Sequence, residues 1–303
     1  MSSITIVFGL ITINIKSDIL THVTHIAILI FLFSCVRLVN MKEIEHPSGR
    51  KICYNIRGGG KPILFIHGWG SSSLIWNKQI DYFSKNHTVI TIDLSGHGSS
   101  SPNDEYSLDG FSDDIMFFIN SLKLWDITVV GWSMGGMVTI KLLTKLKKYI
   151  ESIVLVSSTP KFISDNGYDL GLPALIANKL KRDIKTNYPG AIKTFYNLLF
   201  KGESNIEAHK SFVLNEVTPP DPDVACKTLE ELERADLRNY LATIEIPALI
   251  IHGGLDEICR PQASEFMHKK IKKSVLKIIP NAAHAPFLTQ SDLFNTMLME
   301  FIR

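Results

Sequence analysis

The sequence predicts an α/β protein: a mostly parallel central sheet flanked by helices, with a helical lid inserted late in the chain. Three observations carry this. From residue 41 onward, short continuous apolar runs alternate with helical stretches, as strands buried on both faces alternate with crossover helices. Over 160–242 only helical periodicity remains, and the strand pattern then resumes. Finally, a glycine-flanked serine stands at a junction between strand and helix.

Residues 1–40 form a separate leader. They carry three formal charges, Lys16, Asp18 and Arg37, and their longest uncharged apolar run, 26–36, has 11 residues. A bilayer-spanning helix needs about 20, so the run fits the core of a signal peptide better. Leu32-Phe33-Ser34-Cys35 loosely resembles a lipoprotein cleavage box, although a basic start is lacking. Three origins stay open: translation beginning at Met41, an export signal or anchor, and a genuine extension.

The core is expected over 41–159 and 243–303. Residues 51–56 alternate and end at Gly58-Gly59-Gly60, a hairpin-like turn. Strands follow at 62–66, 88–92, 127–130, 152–156, 248–251 and 275–279, with helices near 74–84, 108–122, 135–147, 262–272 and 290–302. In the lid, Leu172, Ile176, Leu180 and Ile184 form one apolar stripe, with Lys181, Arg182 and Lys185 on the other side. Ile192, Phe195, Tyr196, Leu199 and Phe200 form a second stripe. Three prolines, Pro219, Pro220 and Pro222, precede a third helix near 223–234. Open α/β sheets bind ligands at the carboxyl ends of their strands, the end such an insertion would cover.

Composition excludes several classes. The chain is 45% hydrophobic and 20% charged, with a formal net charge of +2; disorder, a collagen-like structure and an electrostatic nucleic-acid binder do not fit. Cys35, Cys53, Cys226 and Cys259 form no CxxC pair, so neither a disulfide scaffold nor a zinc site is expected. Four buried thiols in a reducing compartment are.

The chemistry centres on Gly131-Trp132-Ser133-Met134-Gly135-Gly136, which leaves one strand and opens a helix. This is the G-x-S-x-G pattern in the context that gives it meaning. A serine hydroxyl is exposed there only if strand turns sharply into helix, and the flanking positions must be small. The helix N-terminus behind it favours developing negative charge. Such a serine needs a base and an orienting carboxylate. Asp256 and His284 each follow a strand end on the rim that carries Ser133. Glu257 rivals Asp256, but the shorter side chain directly follows the loop glycines.

Of the ten histidines, His252 lies too near Asp256 in sequence to be the preferred base. His97, in a turn after a strand, reads as structural or pocket-lining. His22 and His25 lie in the leader, and His46, His87, His209 and His268 have no motif around them. The oxyanion donors expected are the backbone N–H groups of Met134 and of Trp69 in His67-Gly68-Trp69-Gly70, leaving the Trp69 indole free to line a pocket.

HGWG, DLSGHGSS, GWSMGG, HGGLDEICRP and NAAHAPF occur in the order found in the α/β-hydrolase superfamily, which the chain resembles over about 43–303. The tryptophans of HGWG and GWSMGG, SSTPKF at 157–162, TLEELERADLR at 228–238 and AAHAPF at 282–287 look most like the pimeloyl-[acyl-carrier protein] methyl ester esterases of biotin synthesis. That resemblance implies an α/β-hydrolase fold and a Ser133–His284–Asp256 triad. It implies Trp69 and Met134 at the oxyanion hole and Phe195 along an acyl tunnel. No cofactor or metal is implied. The substrate implied is a methyl or other short-alkyl ester of a linear acyl chain carried on acyl-carrier protein. Two features depart from the family: the leader, and a lid richer in lysine. Over 161–201 it has Lys161, Lys179, Lys181, Arg182, Lys185, Lys193 and Lys201 against Asp165, Asp169 and Asp183.

The reading is therefore a cytoplasmic, monomeric serine carboxylesterase working through an acyl-enzyme, with no nucleic-acid partner and a membrane role only if 1–40 is an anchor. Rivals on the same scaffold are a general esterase or lipase, a lactonase and a carbon–carbon bond hydrolase, since function lives in the site rather than the fold. A non-catalytic ligand receptor is the rival from another class.

Overall fold

The computed structural model describes residues 3–8, 11–16 and 41–303, in two units, Met1–Met41 and Lys42–Arg303. Within the first, strands β1 (Ser3–Phe8) and β2 (Ile11–Lys16) pair antiparallel. The apolar run at 26–36 lies outside the described residues. Among those described, no helix is long and apolar enough to cross a membrane.

The second unit is built on an eight-stranded sheet, in the order β10-β9-β8-β7-β5-β6-β4-β3. Its strands are β3 (Lys42–Glu45), β4 (Lys51–Arg57), β5 (Pro62–Ile66), β6 (Thr88–Ile92), β7 (Ile127–Trp132), β8 (Ile150–Val156), β9 (Ala248–Gly253) and β10 (Ser274–Ile279). β5 to β10 run parallel, while β3 and β4 join antiparallel at one edge. Every residue of β7 and β9 is buried, as central strands covered on both faces must be. β10 alternates instead, with Val275 exposed: it is the edge strand, and one of its faces meets water.

The Gly58–Gly60 turn does not close a hairpin. It carries the chain from β4 past β6 to β5. The buried run of β5 needs a partner on each side and takes β6 and β7, which leaves β4 one place further out. Gly58 is required there: at φ +81 a Cβ would lie 2.3 Å from the carbonyl oxygens of Ser84 and His87.

Helices α1 (Asn77–Phe83), α2 (Leu108–Ser121), α3 (Met134–Leu146), α9 (Pro261–Lys270), α10 (Pro286–Thr289) and α11 (Ser291–Ile302) accompany the sheet. α3 packs on β7, β8 and α2, while α1 packs with α10 and α11. Between β8 and β9 come α4 (Ala174–Thr186), α5 (Tyr188–Leu198), α6 (Glu207–Glu216), α7 (Pro222–Arg234) and α8 (Arg238–Leu241). α4 packs against α5 and α7. Its expected stripe is only partly buried. Ile184 is covered, whereas Ile176 is 50% exposed and borders two cavities.

The opposite side of α4 is not uniformly solvated either. Lys181 Nζ lies 2.6 Å from Glu233 Oε2 on α7, with both side chains largely covered. Lys161 bridges Asp165 and Asp236, Lys179 pairs with Asp183, and Lys201 pairs with Glu257. Arg182, Lys185 and Lys193 are exposed and carry no ion pair among the described residues.

Candidate active site

Ser133 joins β7 to α3 at φ 53, ψ −115, a backbone that L-residues rarely adopt. The surroundings enforce it. A Cβ on Gly131 would lie 2.3 Å from Gly135 O, and one on Gly135 would lie 2.5 Å from Ile66 O. Ser133 N–H donates to Val156 O at 2.9 Å, and Ser133 O accepts from Ser158 Oγ at 2.8 Å. Ser158, two residues past β8, fixes the elbow; it falls in the SSTPKF stretch, which did not reveal this contact.

His284 lies between β10 and α10 and is 1% exposed. Its Nδ1 is 2.8 Å from Asp256 Oδ2, so Nδ1 donates to the carboxylate. Nε2 is buried and has no hydrogen-bond partner; it is the atom free to take a proton. Asp256 Oδ1 accepts from the N–H groups of Ile258 at 2.9 Å and Cys259 at 3.0 Å. Burial opposes the Asp256 charge, but His284 and then His252 outweigh it and hold the carboxyl well below the usual range. Glu257 points elsewhere, its Oε2 2.6 Å from Lys201 Nζ at the surface.

His252, set aside on sequence distance, stands beside the acid. Its Nε2 is 3.0 Å from Asp256 Oδ2 and 2.6 Å from Cys259 O. Both are acceptors, so Nε2 carries the proton and Nδ1 receives the Ser264 hydroxyl at 2.5 Å. The four-residue spacing that argued against His252 as the base is what brings it to the carboxylate.

Cys259 is the other unforeseen neighbour. Burial, then the Asp256 charge, push its thiol well above the ordinary range, with the Ser133 hydroxyl offsetting them. A thiol kept protonated is no rival nucleophile.

The HGWG loop lies against the elbow, since a Cβ on Gly68 would be 3.2 Å from Ser133 Cβ. Met134 opens α3, so its N–H has no acceptor within the helix. The Trp69 indole is not free to line a pocket. It is 3% exposed, and its Nε1 donates to Ala225 O of α7 at 3.1 Å; a buried indole N–H needs such a partner. Phe195 meets Trp69 edge-on, centroids 4.7 Å apart. Phe195 also lines a cavity of about 340 Å³ with Phe162, Leu172, Ile176, Leu180 and Leu198.

An elbow serine on β7, an acid after β9 and a histidine after β10 define the class. Residues 61–291 match the family described as alpha/beta hydrolase fold, and the chain belongs to it. Within that class it is similar to the pimeloyl-[acyl-carrier protein] methyl ester esterase of Wigglesworthia glossinidia brevipalpis, 30% identical over 256 residues, 82% of this chain and 96% of that protein. It is similar to the protein of the same name from Neisseria meningitidis serogroup A, 28% identical over 243 residues, 80% of this chain and 77% of that protein. Among solved structures, an esterase from Exiguobacterium antarcticum superposes with a TM-score of 0.83 at 26% identity, covering 86% of this chain and 98% of that one.

Proposed function

We propose that this chain is a serine carboxylesterase that removes a short alkyl group, methyl above all, from the ester of a linear acyl chain carried on acyl-carrier protein, as in biotin synthesis. The observation that carries the esterase reading is the buried, unpartnered Nε2 of a histidine whose Nδ1 is held by Asp256, on the rim of an elbow serine. Ser133 Oγ attacks the ester carbonyl carbon as its proton passes to His284 Nε2. The oxyanion accepts from the N–H groups of Met134 and Trp69. The tetrahedral intermediate collapses, the C–O bond to the alkoxy group breaks, and His284 returns the proton so that the alcohol departs. Water then repeats the sequence on the acyl-enzyme and releases the carboxylic acid and Ser133.

The acyl chain is assigned to the largely apolar cavity bordered by Phe195, which Lys179, Asp183, Lys201 and Glu257 also line. On this reading 160–242 acts as a lid, and its basic residues Arg182, Lys185 and Lys193 face an acidic carrier. Support for the methyl ester and the carrier comes from the relatives' names, and support for an acyl chain from this cavity.

The deciding assay is methanol release from pimeloyl-carrier methyl ester, run beside p-nitrophenyl acetate. Turnover of both fits the full reading. Turnover of the p-nitrophenyl ester alone keeps the esterase and discards the carrier substrate. Turnover of neither discards the enzyme.

A further inference from the structure

The backbone around His284 is tied from three directions. From the core, Trp132 Nε1 donates to His284 O at 2.8 Å. Beneath it, the loop rests on the end of β9, where a Cβ on Gly253 would lie 1.9 Å from Ala283 O. The third tie comes from the inserted segment. Just past α5, Leu199 O accepts the His284 N–H at 3.1 Å. Four residues on, Glu203 Oε1 accepts the Ala283 N–H at 2.7 Å. Gly202, at φ +86, turns the chain so that this carboxylate points back into the catalytic loop.

Glu203 makes no ion pair among the described residues, and its side chain is half-buried. Ala283 is 1% exposed, so its N–H has no solvent to turn to. The carboxylate takes that buried amide, with the Thr289 hydroxyl also beside it, and holding a charge there is costly if stability is its only purpose. A neutral acceptor would satisfy the same donor without the cost of desolvating an ion. The Glu203 carboxylate ties the residue next to His284 to the inserted segment.

We propose that Glu203 is a positioning residue for His284, through which the inserted helices set the geometry of the base. Movement of the segment after α5 is then felt in the chemical step and not only in substrate binding. The inference rests on the reading of His284 as the base, and not on the identity of the acyl chain.

The test uses the full-length protein with Glu203→Ala and Glu203→Gln, because the glutamine Oε1 still accepts the amide. The readouts are kcat and KM for p-nitrophenyl acetate, the rate at which a fluorophosphonate labels Ser133, and Tm. The alanine variant should lose ten- to a hundred-fold in both kcat and labelling rate, with KM within about twofold; glutamine should keep at least a third of each. Alanine at wild-type kcat per folded molecule, even with a lowered Tm, overturns the proposal. Equal loss in both variants also overturns it, since the acceptor would then not matter. Should the alanine variant fail to fold, Glu203→Asp, with its acceptor withdrawn by one methylene, should show the same fall in kcat, and an unchanged kcat counts against the role. A wild-type protein that neither hydrolyses the ester nor is labelled removes His284 as a base, and this inference with it.

Discussion

His252 Nε2 lies 3.0 Å from the same Asp256 oxygen that His284 Nδ1 reaches at 2.8 Å. One buried carboxylate oxygen thus meets two imidazoles, and the remaining oxygen takes two backbone N–H groups. Such a carboxylate has no freedom to rotate, which keeps its lone pair aimed at His284. His252→Ala should lower kcat roughly 10- to 100-fold, the worth of one hydrogen bond to a charged group. His252→Gln, whose amide nitrogen occupies the Nε2 position, should recover most of it. Steady-state kinetics on p-nitrophenyl acetate decide. An alanine variant with wild-type kcat would reduce His252 to a packing residue.

Ser133 and His284 should behave as one unit. Ser133→Ala and His284→Ala should each reduce kcat by about 10⁴- to 10⁶-fold, and the double variant should lose little more, because either change alone ends the covalent route. Neither change alters the elbow backbone, which is fixed by Gly131, Gly135 and Ser158. Multiplicative losses in the double variant would separate the two residues.

What the sequence made legible was whatever depends on neighbours in the chain. Ser133 announces itself through glycines two residues away on each side. The buried strands announce themselves as apolar runs, and β7 and β9 are covered as those runs imply. Contacts between distant segments left no local trace. Nothing near Glu203 points to Ala283, and nothing near Trp69 points to Ala225. Lys181 read as a solvated face because Glu233, its partner, is 52 residues away. Helix α6 escaped notice because Val213 is its one buried residue, too little for a stripe. The Gly58–Gly60 turn showed a reversal but could not say which strand would follow beside β4.

Acid should destabilise the fold before it protonates the carboxylates. His67 is fully buried, and burial lowers its pKa to about 4. For His97, burial and then the neighbouring His67 lower it to about 3. Both are neutral when folded and take a proton near 6.5 when unfolded. Between those values the unfolded chain binds more protons, so stability is full above about pH 6.5 and falls as the pH drops toward 3 to 4. His67 alone is worth on the order of 3 kcal/mol across that window. Tm should fall by at least about 5 °C between pH 7 and pH 4.5. His97 Nδ1 lies 3.1 Å from Ser95 O; His97→Asn keeps that donor without a titrating group and should flatten the slope. A Tm independent of pH, or a slope unchanged in the variant, would count against these two residues as its source.

The basic face of the inserted segment decides between a carrier-bound and a free substrate. Lys181 is excluded from the test, because reversing it would set two carboxylates together at Glu233 and damage the α4–α7 contact. Arg182, Lys185 and Lys193 are exposed and unpaired among the described residues. Reversing them to Glu changes charge and leaves Ile184, Phe195 and the cavity wall alone. Acyl-carrier proteins are acidic, and complementary charge acts mainly on association rate. For the triple variant, kcat/KM on a carrier-bound methyl ester should fall about ten-fold or more at low salt, and the gap should close as salt screens the charges. Hydrolysis of p-nitrophenyl acetate should stay within about twofold, since Ser133, His284 and the oxyanion donors are untouched. Equal loss on both substrates would mean that the helices had been disturbed. No loss on either would leave this face solvated and move the substrate to a free small ester.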